Sequence, residues 1–186
     1  MKPDWSRRSF LASSLPVGGM AWLKLSSSGL AAVAAGACSA RDAGSSFESF
    51  STAQAEEIAA IAARLIPSTE TPGASEAGVI YFIDQVFAAE ADELAGFLAG
   101  LADYVRQLQM THPGSAFSSL PAAAQDAYLT TQEGSAFFES VRELTILGFF
   151  AMSAHGGNRA QLSWELIGFE GHGAWTAPFG HYDRGA

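Results

Sequence analysis

Four histidines, one cysteine and a few paired acids are the side chains on which catalysis or metal binding could be built in this sequence. His112 stands alone, whereas His155, His172 and His181 fall in a glycine-rich C-terminal stretch, so an imidazole-held metal is conceivable there. Zinc sites place their ligands at short, recurrent spacings, and these histidines follow none of them; scattered imidazoles of this kind read as hydrogen-bonding groups. Cys38 has no second cysteine to pair with, which excludes an internal disulfide and any Cys-rich metal centre. Glu56 and Glu57, like Asp92 and Glu93, are neighbours on helical stretches and read as solvated faces, not catalytic pairs. Gly171-His172-Gly173 lacks the preceding strand and following helix that a phosphate-cradling loop needs. No P-loop, H-E-x-x-H or nucleophile elbow is present, so the chain itself carries no cofactor motif and is expected to bind no flavin.

Charge is divided unevenly along the 186 residues. Positions 1–37 carry Lys2, Arg7, Arg8 and Lys24 against Asp4, while the remainder carries six arginines, no lysine and 18 acidic residues, a net of −12. Such a domain repels nucleic-acid phosphates and anionic lipid headgroups, which sets both aside as partners.

Residues 1–37 have the parts of an export signal: a basic head, a weakly apolar middle, and the small residues Ala35-Gly36-Ala37 at its end. The uncharged stretches on either side of Lys24 each fall short of the roughly 20 residues that span a bilayer. Ser6-Arg7-Arg8-Ser9-Phe10-Leu11 resembles the twin-arginine consensus, with Phe10 and Leu11 as the apolar pair behind the arginines. The alternative is a basic flank on an ordinary secretory signal. A middle interrupted by Pro16, Gly18, Gly19 and Lys24 favours the twin-arginine route, which delivers folded proteins to the periplasm. Cys38 is either the acylated first residue after a lipoprotein box, with Ala35 where Leu is preferred, or a bystander to plain cleavage after Ala37 or Ala40.

The elements that must position any site follow from periodicity. Residues 38–50 are small and polar and read as a linker; residues 51–186 form the domain. Ser51 with Gln54 makes a capping box, and Ile58, Ile61, Ala62 and Leu65 recur at helical spacing until Pro67. Val79, Phe82, Ile83 and Val86 mark a second helix. Leu94, Phe97, Leu98, Leu101, Val105 and Leu108 mark a longer third. A shorter helix runs from Ala122 to about Thr130, with Pro121 suited to its first turn. The stretch from Phe137 to Ala154 is apolar all round at its C-terminal end, which predicts a helix buried at the centre. The expected architecture is all-α: a small bundle of about five helices with an irregular Gly/aromatic-rich tail. In that tail Trp164, Phe169, Trp175, Phe179 and Tyr182 are interleaved with glycines. Some of these rings should cover the end of the bundle, and others should anchor a protein–protein contact.

Residues 63–84, "ARLIPSTETPGASEAGVIYFID", and 155–171, "HGGNRAQLSWELIGFEG", resemble the gluconate 2-dehydrogenase subunit 3 family. The most specific parts are Ile66-Pro67, Thr71-Pro72-Gly73-Ala74, Ala77-Gly78, Gly156-Gly157-Asn158, Trp164 and Ile167-Gly168-Phe169. His155 stands where Tyr is usual, and Glu170 where Pro is usual. The resemblance implies a small subunit, not catalytic by itself, of a periplasmic sugar or sugar-acid dehydrogenase. Its large partner binds FAD and is of the glucose-methanol-choline type, and a cytochrome subunit carrying haem c often takes the electrons. It also implies that the twin-arginine leader exports the folded flavoprotein together with this chain. His155, Gly156, Gly157, Asn158, Trp164, Phe169 and Trp175 are the residues expected at the partner interface. The rival readings are a free-standing periplasmic enzyme and a lipid-anchored structural protein.

Overall fold

A computed structural model describes residues 46–151 and 157–169. The described residues form an all-α bundle without strands. Helix α1 (Thr52–Leu65) opens on the capping box: the Gln54 N–H donates to Ser51 Oγ at 3.3 Å and the Ser51 N–H to Gln54 Oε1 at 2.9 Å. There follow α2 (Val79–Ala89), α3 (Ala91–Thr111), a 3-10 turn (Phe117–Ser119), α4 (Ala122–Gln132) and α5 (Ala136–Phe150). A second 3-10 turn (Arg159–Gln161) leads into the short α6 (Leu162–Leu166). Pro121 sits one position before the expected first turn, at the N-cap of α4. Its carbonyl accepts from the Ala124 and Gln125 N–H groups, and its missing N–H is not needed there.

Helices α1, α2 and α5 pack on one another, α3 lies across α2 and α5, and α4 covers α1. The apolar stripes meet at the centre, where Ile58, Ile61, Ile83, Val86 and Leu144 are fully buried. A run of rings extends this core from one end to the other. Phe50 meets Phe87 and Phe97, Phe97 meets Phe137, and Phe137 meets Tyr104, with centroids 5.2 to 5.9 Å apart. Tyr104 then stands edge-on to Phe117 and Tyr128. The Tyr128 hydroxyl donates to the Tyr104 carbonyl at 2.6 Å, and burial pushes its phenol up to about 12.

Two buried carboxylates tie loops to this core. Glu57, expected on a solvated face, is buried instead: it accepts from the Phe117 and Ser118 N–H groups and from Ser118 Oγ, so it holds the first 3-10 turn against α1. Asp84 on α2 accepts the N–H groups of Glu48 (2.9 Å), Ser49 (2.9 Å) and Phe50 (3.3 Å), and its own carbonyl receives Ser49 Oγ. Phe47 stacks on Tyr81 beside this clip, and Phe50 is in the core. Phe47 to Phe50, read from sequence as the end of a linker before a domain starting at 51, are therefore packed on the bundle, because a buried acceptor gives them a place to bind.

Asp84→Ala removes the acceptor of three backbone donors. Chemical denaturation should show a loss of about 2–3 kcal/mol in unfolding free energy, the range for a hydrogen-bonded charged group whose partners are left unpaired. A loss below about 0.5 kcal/mol, as at an ordinary surface position, would mean that water replaces the carboxylate.

Candidate functional site

Among the described residues, the C-terminal end of α5 carries a very close backbone contact and several exposed apolar side chains. A helix leaves its last carbonyls without intrahelical donors, and here the segment 157–169 supplies them. The Asn158 N–H donates to the Gly148 carbonyl at 2.8 Å, Asn158 Nδ2 to Ala151 at 3.0 Å, and Trp164 Nε1 to Phe150 at 3.2 Å. Gly157 lies so close to the Gly148 carbonyl that a Cβ on it would collide with backbone, so no other residue fits. Asn158 is fully buried with φ 44°, and its Oδ1 accepts the Ser163 N–H at 2.8 Å, which starts α6. Left-handed backbone at Asn158, Ala160 and Gln161 turns the chain sharply enough to double back over the helix end. The result is a hook clamped onto α5.

The first stretch of the resemblance, residues 63–84, lies directly beneath this hook. The Arg159 N–H donates to the Ala77 carbonyl at 3.3 Å, and Ala74 and Ala77 are buried. The loop before α2 is itself tightly wound. Gly73 packs where a Cβ would strike the Ile66 and Pro67 backbone, and the Ala74 N–H donates back to Ile66. Glu76 caps the loop from Ser68 Oγ and the Gly73 N–H, and the Ser68 hydrogen bond holds its carboxyl below the usual range. Residues 66–78 and 157–169 are thus one structural unit built from distant stretches of sequence.

Beside it, the end of α5 and the end of the hook present apolar side chains outward. Ile146, Leu147 and Phe150 on α5, with Leu166, Ile167 and Phe169 at the end of the hook, are between 39% and 60% exposed. Phe169 stands edge-on to Trp164 at 5.1 Å. The expectation that α5 is buried all round therefore fails on one face. Its contacts with α1, α2 and α3 make it central, but the helix ends at Phe150 with Ala151 as C-cap, and one stripe of its last two turns faces solvent.

Of the residues expected at an interface, Trp164 and Phe169 lie at this surface. Gly157 and Asn158 lie beneath it, buried, and act by holding the hook in place. His155, Gly156 and Trp175 lie outside the described residues, as do Arg7, Arg8, Phe10, Leu11 and Cys38. The exposed trio on α5 escaped sequence reasoning, although a signal was there: Glu139 and Glu143 sit on the same helical stripe as Ile146 and Phe150, which marks that stripe as outward.

Away from this end, several polar groups are engaged in the fold itself. An open groove of about 650 Å³ runs between α1 and α3, floored by Leu98, Leu101 and Val105. Its rim is occupied structurally, with Gln54 in the capping box, Glu57 on the 3-10 turn and Arg106 paired with Asp103 at 2.7 Å. Among the described residues no group of three His, Cys, Asp or Glu side chains could hold a metal, and no helix is long and apolar enough to cross a membrane.

A helical domain with two buried carboxylates that hold its own loops, and with large apolar side chains exposed together at one end of the described residues, has the form of a subunit shaped to sit against another chain. The family model for gluconate 2-dehydrogenase subunit 3 matches residues 52–171, and the chain belongs to that family. No curated protein and no solved structure matches it.

Asn158→Ala deletes two side-chain hydrogen bonds and places Ala in left-handed backbone, so the unfolding free energy should fall by about 3 kcal/mol. Denaturant melts of the variant test this, and an unchanged midpoint would show that the hook is held by other contacts.

Proposed function

We propose that the protein is the non-catalytic small subunit of a periplasmic FAD-dependent sugar or sugar-acid dehydrogenase. In this reading it docks onto a flavoprotein of the glucose-methanol-choline type through the exposed face of α5 and α6. The observation that carries the reading is that face itself: six large apolar side chains, gathered at one end of a domain from a dehydrogenase-subunit family. Exposed aromatic and aliphatic clusters of this kind are what subunit interfaces bury at their centres.

FAD belongs to the large subunit. The described helices offer no strand followed by a glycine loop and a helix N-terminus, the unit that cradles a dinucleotide pyrophosphate. Where a third, cytochrome subunit is present, its haem c takes the electrons. The small subunit contributes stability and passage. Arg7 and Arg8, followed by Phe10 and Leu11, form the export address, and a flavoprotein that folds around FAD in the cytoplasm needs a route for folded cargo. The clip at Asp84 binds Glu48 and Ser49, at the end of the segment that joins the leader to the bundle.

Replacing both Arg7 and Arg8 with Lys keeps the positive charge but removes two planar, five-donor groups that a twin-arginine receptor reads. Cell fractionation with dehydrogenase assays should then find both subunits, the flavoprotein loaded with FAD, retained in the cytoplasm. Normal periplasmic activity in the double variant would defeat the escort role. Activity from the small subunit alone would favour a free-standing enzyme.

A further inference from the structure

The groove between α1 and α3 opens beside the point where the chain enters the bundle. Its α1 wall includes Ala53 and Glu56, in the first turns after the N-cap Ser51, and Glu48 and Ser49 are fastened to Asp84 just ahead of it. Its α3 floor is apolar and partly open to solvent: Leu98 and Val105 are half-buried and Ala102 is exposed. A cavity of about 650 Å³ has the size that takes a drug-sized molecule. It therefore suits a handful of small aliphatic side chains and not a broad convex partner.

We propose that residues 25–37 of this chain's own leader, "LSSSGLAAVAAGA", lie in this groove in the unprocessed protein, an intramolecular contact separate from the partner surface on α5 and α6. The reach is sufficient. Residues 38–45 join the stretch to the first described residue and span up to about 30 Å when extended. The α3 side of the groove, from Leu98 to Gln109, is about 17 Å long, and the stretch itself is about 20 Å long if helical. Its composition fits as well, since Leu30, Val33 and the alanines around them are small and aliphatic. Charge favours the leader over the bundle of a second copy. Positions 1–37 carry four basic residues against one acid, a formal net of +3, whereas the domain carries −12 and repels its own kind. Glu56 is exposed on the groove wall, and the cation there, Arg106, is already paired with Asp103. A stretch tethered this closely is presented at roughly millimolar concentration, so a weak intrinsic affinity is enough to hold it. Arg7 and Arg8 lie well ahead of Leu25 and stay outside the groove, within reach of a receptor.

Lys2 and Lys24 are the only lysines in the sequence, so a lysine-specific protease reports on the leader by its cut at Lys24, next to the docked stretch. The rate of that cut is measured on the purified full-length chain and on a synthetic peptide of residues 1–45. Docking predicts a cut roughly tenfold slower in the full chain than in the peptide, at every protein concentration. Ala102→Arg puts a bulky cation on the exposed floor of the groove and should restore most of the peptide's rate, with the thermal midpoint of the bundle nearly unchanged. Leu30→Asp alters only the leader and should restore the rate as well, which decides the matter if Ala102→Arg disturbs the fold. A full chain cut as fast as the peptide overturns the inference. So does protection that survives Leu30→Asp, or that survives Ala102→Arg in a folded bundle, because the leader is then covered somewhere else. Protection that disappears on dilution overturns it too, by placing the leader on a second copy. None of these outcomes bears on whether the α5 and α6 face binds a flavoprotein.

Discussion

Backbone touches backbone where Gly157 crosses Gly148, and the outward face of the protein depends on that contact. With no side chain to hold the segments apart, Asn158 comes within reach of the carbonyls at the end of α5. The hook it starts then carries Trp164 to the Phe150 carbonyl and Phe169 to the ring of Trp164. One steric permission at Gly157 therefore closes the helix end, satisfies its carbonyls and sets out the aromatic half of the exposed surface. The loop at residues 66–78 supports the arrangement from below, its own course fixed by a second glycine that admits no Cβ.

The apolar face is at odds with the habits of a lone soluble domain, and magnitudes indicate what it can do. Burying the exposed half of six large side chains is worth about 1 kcal/mol each, or about 6 kcal/mol together. Association itself costs on the order of 4–15 kcal/mol in lost freedom. The apolar contact alone thus leaves little or no surplus for a stable complex. Some directional pairing around it must add to it, as the polar rim of a subunit interface does. The bundle itself folds on its central aromatic and aliphatic packing and does not need this face covered.

Much of the fold was legible in the sequence because it rests on local rules. Ser51 and Gln54 announced the start of α1, and the stripes through Ile58, Phe82 and Leu101 gave three helices their buried sides. The parts that were not legible depend on residues far apart. Glu57 looks solvated beside Glu56 until Phe117 and Ser118, about sixty positions on, bring their N–H groups to it. Asp84 looks like one more helix acid until Glu48 and Ser49 fold back onto it. At the site, Trp164 and Phe169 stood out as aromatics among glycines. The aliphatic half on α5 was hidden because an all-apolar stretch looks fully buried when read by composition alone. Gly157 and Asn158 stood out by resemblance, and their part is to build the surface from beneath.

The claim on which the account turns is that this face, and not the α1–α3 groove, meets the partner. Amide hydrogen exchange on the small subunit, free and in complex with the flavoprotein, tests it most directly. Protection gained on complex formation at residues 146–150 and 162–169, with little change at 53–57 and 98–109, is the predicted result. Protection concentrated along α1 and α3, with the end of α5 and the hook exchanging as in the free subunit, would contradict it.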